Sequence, residues 1–249
     1  MDLHYEVLGA GQPVVLLHGG GTDSRDWTPL APLLSEKYKV VLPDARGCGQ
    51  SPAPVEPPHY VNDLLALLDH LEFEKATLIG HSVGGQIATE FAFSHPNRVQ
   101  DLILVSPALS GFAHATEFVE LSQRVWAAAT DPAKMTELTL EACFYSNVMK
   151  SPHRGLMAEM TAHNIKKMFQ WQTRDSQWPT PRAIERLHEL PVRTLFFRGT
   201  LDTLDSSRIA EHFRAAPDIR FVEIEGGDHK INLTHSEELF ANIMSFLET

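Results

Sequence analysis

Short apolar runs alternate with amphipathic segments along most of this 249-residue chain, and that alternation limits the folds open to it. VVLLH, KVVLPD, KATLIGH and DLILVSP are rich in β-branched and aliphatic residues and read as strands. Between two of them, YVNDLLALLDHLE places Leu64, Leu65, Leu68 and Leu71 on one helical face. Near the end, VRTLFFRG and RFVEIEG are again strands, followed by the helical segments SSRIAEHFRAA and SEELFANIMSFLE. Strands separated by helices of this length need crossover connections, so they pair in parallel with right-handed crossovers. The expected class is α/β, a mostly parallel, doubly wound sheet of about seven strands.

The alternation stops after Pro107. From 108 to 189 the sequence is mostly helical, and Pro132, Pro152, Pro179 and Pro181 divide it. A helical stretch inside one continuing sheet reads as an excursion from the sheet edge. We therefore expect a core domain formed by 1–107 and 190–249 and a helical cap formed by 108–189.

Charge and cysteine content narrow the function classes. The net charge of −11 argues against nucleic acid and anionic membrane as partners. The two cysteines, Cys48 and Cys143, form neither a disulfide framework nor a zinc motif. No metal or other cofactor is expected. The first residues carry no basic-then-apolar leader, and no apolar run reaches the ~20 residues of a membrane span. A cytoplasmic protein with a small-molecule substrate is the expectation.

The chemistry gathers around Gly80-His81-Ser82-Val83-Gly84, a G-x-S-x-G run between a strand and a helix. A serine on so sharp a turn exposes its hydroxyl and sets the next backbone N–H beside it. The hydroxyl needs a general base, and the base needs an orienting acid, both at strand carboxyl ends. Asp202 follows VRTLFFRG, and His229 follows RFVEIEG. Among 13 histidines, His229 alone ends a late strand in the order nucleophile, acid, base. His18, His81 and His95 precede or adjoin the nucleophile, and His70, His163 and His188 read as helical surface or packing residues. Asp205 reads as a helix cap. Asp228, beside His229 in sequence, lacks the reach to orient that ring. For the oxyanion, Val83 N–H is one donor and Gly20 N–H, in the run His18-Gly19-Gly20-Gly21, the other. Neither GxxxxGK[ST] nor GxGxxG occurs, which argues against nucleotide binding.

With HGGG at 18–21 and Trp27 beyond it, PDARGCGQS at 43–51, GHSVGG at 80–85, GTLD at 199–202 and GGDH at 226–229, the chain resembles the α/β-hydrolase superfamily. The resemblance implies Ser82 on a nucleophile elbow under a helical cap. It makes Asp44 and Arg46 loop-bracing residues. It also implies that the first edge strand is missing or very short, because only LHYEVL precedes the HG-loop strand. Dehalogenases and epoxide hydrolases of the superfamily carry Asp at the nucleophile position, so Ser82 argues against both.

The cap is rich in methionine and aromatic residues, and Met157, Met160, Asn164, Met168 and Trp171 share one helical face. They are either the packing face of a cap helix or an adaptable apolar wall of the pocket. Trp126, Met157, Met160 and Met168 are the candidate pocket residues. No basic cluster clearly marks a carboxylate pocket, although His163, Lys166 and Lys167 could supply one. The expected function is hydrolysis of a small, largely apolar carboxylic ester, thioester or lactone through an acyl-enzyme on Ser82. The alternatives are a C–C bond hydrolase or cofactor-free perhydrolase with the same residues, and a hydrolase-like ligand receptor with slow turnover.

Overall fold

A computed structural model describes residues 1–248. The chain begins β1 (Tyr5–Leu8), β2 (Pro13–Leu17), α1 (Ala31–Ser35), β3 (Lys39–Pro43), α2 (Tyr60–His70), β4 (Ala76–His81), α3 (Val83–Ser94) and β5 (Val99–Val105). Four α-helices follow with no strand between them: α4 (Thr116–Ala127), α5 (Pro132–Leu140), α6 (Arg154–Met168) and α7 (Ala183–Arg186). The alternation resumes with β6 (Thr194–Gly199), α8 (Leu204–Phe213), β7 (Ile219–Ile224), α9 (Ile231–Thr234) and α10 (Ser236–Leu247).

The strands form one seven-stranded sheet in the order β1-β3-β2-β4-β5-β6-β7. Only β1 runs antiparallel, pairing Tyr5 with Pro43 and Leu8 with Val40. Among the described residues no strand precedes β1, which forms the edge, as expected for a sheet lacking the first strand. β4 is buried along its whole length because helices cover both faces of the sheet. The strand period of two divides the core accordingly. Val15 and Leu17 face a layer with Leu64 and Leu68 of α2 and Phe91 of α3. Val14 and Leu16 face a layer with Leu34 of α1 and Ile243 of α10.

The helices between β5 and β6 lie against loops at the strand carboxyl ends. Asn164 of α6 accepts from Gly49 N–H at 2.9 Å and donates to Asp23 at 2.7 Å. Trp171 donates to the Gly47 carbonyl at 3.0 Å. Local sequence sets these helices: Asp131 caps α5 by accepting from Ala133 and Lys134 N–H, with Pro132 at the first position.

The strand order reverses at β2, whose neighbours β3 and β4 follow it in sequence on opposite sides. Loops leaving β2 and β4 therefore diverge and open a crevice at their carboxyl ends, where ligands bind in open α/β sheets. The HGGG run leaves β2 and Ser82 leaves β4.

Candidate active site

Ser82 sits between β4 and α3 with φ 51° and ψ −116°, a conformation L-residues rarely adopt. Holding it costs on the order of 1–3 kcal/mol. The turn is clamped by Ser82 N–H donating to Val105 O at 3.1 Å and Ala108 N–H donating to Ser82 O at 2.9 Å. Two glycines make it possible. A Cβ on Gly80 would lie 2.4 Å from Gly84 O, and one on Gly84 would lie 2.1 Å from Leu17 O. This is the physical content of the G-x-S-x-G spacing.

Ser82 and His229 line one cavity of about 170 Å³. His229 Nδ1 lies 3.0 Å from Asp202 Oδ1 and 3.2 Å from Oδ2. The Asp202 side chain is fully shielded from solvent. Burial alone would raise its pKa. The His229 charge and hydrogen bond, with Thr203 N–H donating at 2.7 Å, outweigh that and bring it to about 2. Asp202 thus stays ionised and can hold a proton on His229 Nδ1, leaving Nε2 to accept one.

The rival acids have other partners. Asp228 accepts from Asn147, Val148 and Lys230 N–H at 2.7, 3.2 and 2.9 Å, tying the helical segment to the histidine loop. Asp205 is not the cap expected from sequence. Thr203 caps α8 through Ser206 N–H, and Asp205 instead accepts from Ala115 N–H at 3.0 Å and lies 3.0 Å from His114 Nδ1. The carboxylate lies one position inside the helix, so it is free to reach across to the other layer.

Gly20 and Val83 meet across the crevice, where a Cβ on Gly20 would lie 3.0 Å from Val83 Cγ2. Val83 opens α3, so its N–H has no acceptor within the helix and adds to the helix dipole. A second cavity, of about 310 Å³, adjoins Gly20 and includes Trp126, Met157 and Met168 in its wall. Met160 does not line it. That residue is fully buried and packs with Val148, Met157 and Leu233, fastening α6 to α9. The basic cluster serves the fold as well: His163 Nε2 lies 3.1 Å and Lys167 Nζ 2.5 Å from Gly49 O. Arg46 and Asp44 brace their loop, Arg46 to Asp63 at 2.8 Å and Asp44 by accepting from Ser24 N–H at 2.8 Å.

Sequence reasoning missed a buried hub beneath the site. Asp26 is fully buried and accepts from Lys230 Nζ at 2.7 Å, Gly19 N–H at 3.1 Å and Thr22 Oγ1 at 3.2 Å. His81 Nδ1 lies 2.9 Å from Asp26 Oδ2, and His81 Nε2 lies 2.9 Å from the His229 carbonyl oxygen. The HGGG loop, the elbow strand and the histidine loop thus share one ion-paired centre. Burial opposes ionisation of Asp26, but Lys230 and His81 hold its carboxyl well below the usual range. Burial and the Lys230 charge push His81 down to about 4 against the pull of Asp26. The only sequence signal is a lysine directly after His229.

With this geometry established, comparison with known proteins gives the family. The family model described as alpha/beta hydrolase fold matches residues 12–236. The chain belongs to that family. A pimeloyl-[acyl-carrier protein] methyl ester esterase of Legionella pneumophila (strain Corby) is 28% identical over 256 residues, covering 98% of each chain. A thermophilic esterase from Thermogutta terrifontis superposes with a TM-score of 0.83 at 24% identity, over 99% of this chain and 93% of that one. The enol-lactonase from Burkholderia xenovorans LB400 superposes with a TM-score of 0.81 at 24% identity, over 99% and 96%. At these identities the two structural likenesses speak for the fold. No helix among the described residues is long and apolar enough to cross a membrane.

Proposed function

We propose that this protein is a serine hydrolase of small, largely apolar carboxylic esters, thioesters or lactones, working through an acyl-enzyme on Ser82. One observation carries the reading: a serine on a strained strand-to-helix turn shares a cavity with a histidine whose far nitrogen faces a shielded, ionised aspartate. In this mechanism Ser82 Oγ attacks the ester carbonyl while His229 Nε2 takes its proton. Asp202 orients the imidazole and balances the charge it gains. The N–H groups of Gly20 and Val83 stabilise the oxyanion. His229 then protonates the leaving alcohol, and a water activated by the same histidine releases the acid.

The same reading gives the other parts. Residues 1–107 and 190–249 form the hydrolase core, and 108–189 form a cap that shapes the substrate cavity. Trp126, Met157 and Met168 supply an apolar wall beside the oxyanion donors. The full-length match to an ester esterase favours ester cleavage over C–C cleavage, cofactor-free perhydrolysis or ligand reception. Free thiols at Cys48 and Cys143 support a reducing, cytoplasmic setting.

The test is turnover of short-chain aryl esters, thioesters and lactones by the wild type and by Ser82→Ala. Multiple turnovers in the wild type, lost in the variant, are expected. Equal rates in the two proteins would reject Ser82 as nucleophile.

A further inference from the structure

The Ser82 cavity holds a second histidine–aspartate pair that the proposed mechanism does not use. His114 lines this cavity with Ser82 and Gln86. Its Nδ1 lies 3.0 Å from Asp205 Oδ2. Asp205 is almost fully buried and also accepts from Ala115 N–H, so the carboxylate is fixed. Phe118 stacks on the imidazole at 4.5 Å, and Phe112 meets its edge at 5.5 Å. The ring is therefore held in place and direction. With Nδ1–H donating to that carboxylate, the Nε2 lone pair is left without a protein partner among the described residues.

A further polar group in the same lining lacks a partner, and Gln86 stands in that lining with it. The Ser206 hydroxyl is buried with no hydrogen-bond partner, although Ser206 is only 4% exposed. Leaving such a group unsatisfied is costly, and sites that persist in this state commonly receive a ligand group or water. Gln86 lies four residues after Ser82, one turn along α3, and its N–H donates to Ser82 O at 3.1 Å. Residues at that spacing stand roughly 5–6 Å apart, a few bonds' reach from a carbonyl held at Ser82.

Resting on the reading of Ser82 as nucleophile, we propose that His114, Gln86 and Ser206 form a hydrogen-bonding subsite for an uncharged substrate arm. That arm carries a hydroxyl or amide N–H a few bonds from the scissile carbonyl. His114 Nε2 accepts from that donor, and the Gln86 amide and Ser206 hydroxyl complete its shell. A carboxylate fits poorly. Asp202 and Asp205 lie beside the cavity, and Glu117 and Glu141 line the adjoining groove of about 460 Å³, against one cation there, Arg124. Phe118 and Phe144 line both spaces, so an arm entering by the groove crosses apolar surface before it reaches the polar end.

The test compares matched esters. Phenyl butanoate is paired with phenyl 3-hydroxybutanoate for the acyl arm, and butyl acetate with 3-hydroxypropyl acetate for the alcohol arm. Monomethyl glutarate, against methyl butanoate, is the anionic control. In the wild type, kcat/KM for the hydroxylated member of one pair should exceed that of its partner by about tenfold or more. His114→Phe, which keeps the aromatic stack, and Gln86→Leu should each bring that ratio close to one. A purely structural role would lower both members of a pair alike and leave the ratio standing, which would overturn the proposal. So would a ratio near one for both pairs in the wild type, or a preference for the glutarate. If His114→Phe does not fold, Gln86→Leu and Ser206→Ala decide the matter by the same ratio. Failure of the underlying reading is seen separately, as hydrolysis of these esters by Ser82→Ala.

Discussion

Asp202 and Asp228 are both shielded carboxylates near His229, and their hydrogen bonds separate them. Asp202 faces the imidazole, whereas Asp228 spends its oxygens on the backbone of residues 147, 148 and 230. Asp202→Asn is expected to fold and to lose ester turnover by roughly 10²–10⁴-fold, because an amide does not hold the working tautomer. Asp228→Asn is expected to lower the melting temperature first. Near-full activity in Asp202→Asn would contradict the assignment. Asp202 also bears on acid stability. Its folded pKa of about 2 lies below the ordinary 3.8, so its contribution is full above 3.8 and is lost as pH falls through about 2. That contribution is about 2 kcal/mol. Urea unfolding at pH 5 and pH 2.5 should show a smaller loss across this interval in Asp202→Asn than in the wild type. Asp26→Asn leaves Lys230 buried without its counter-charge, which typically costs about 3–5 kcal/mol. A loss below about 1 kcal/mol in denaturant unfolding would contradict the role of the hub. The legibility of these residues differs for a physical reason. Ser82, Asp202 and His229 each end a recognisable strand, so their order shows in the sequence. Asp26 and Lys230 are 204 positions apart and meet only when the sheet closes. Asp205 was misread because a helix start looks the same whichever of two nearby residues, Thr203 or Asp205, caps it.

α6 carries two kinds of residue on the face that the sequence groups together. Met160 is sealed against Val148 and Leu233, and Met168 borders the cavity beside Gly20. Helical spacing identifies the face but not where along it packing ends and the pocket begins. That boundary depends on the turn around 143–150, which no periodicity announces. The two methionines should respond differently to a charge. Met160→Lys buries an unpaired ammonium and is expected to unfold the contact between α6 and α9, with a lowered melting temperature and loss of activity on all esters. Met168→Lys should keep the melting temperature and shift the relative rates across acyl chain lengths. The reverse pattern would show that the cavity wall had been drawn on the wrong turn. The strands were legible because each is an apolar run of β-favouring residues between turn signals. Around WTPLAPLLSEK the chain forms only a 3₁₀ turn at Ser24–Trp27 and the short α1, since Pro29 and Pro32 interrupt the run.

At the scale of the whole molecule, the sheet order brings two diverging loops to one crevice, and the helices between β5 and β6 lie against loops beside it. In the proposed mechanism the core supplies Ser82, Asp202, His229 and the N–H groups of Gly20 and Val83, while α4 and α6 contribute cavity walls. The division that this mechanism proposes follows from rigidity: its reacting groups sit at strand ends fixed by buried layers, and its substrate-shaping groups sit on helices outside the sheet. Its central claim is that one serine, activated by its turn and by His229, is the nucleophile. The most direct measurement treats the intact protein with a fluorophosphonate probe and maps the adduct by peptide mass spectrometry while following ester turnover. The expected result is a single adduct on Ser82, formed in step with loss of turnover and absent from Ser82→Ala. An adduct on another residue that persists in Ser82→Ala, or full turnover after Ser82 is labelled, would contradict it.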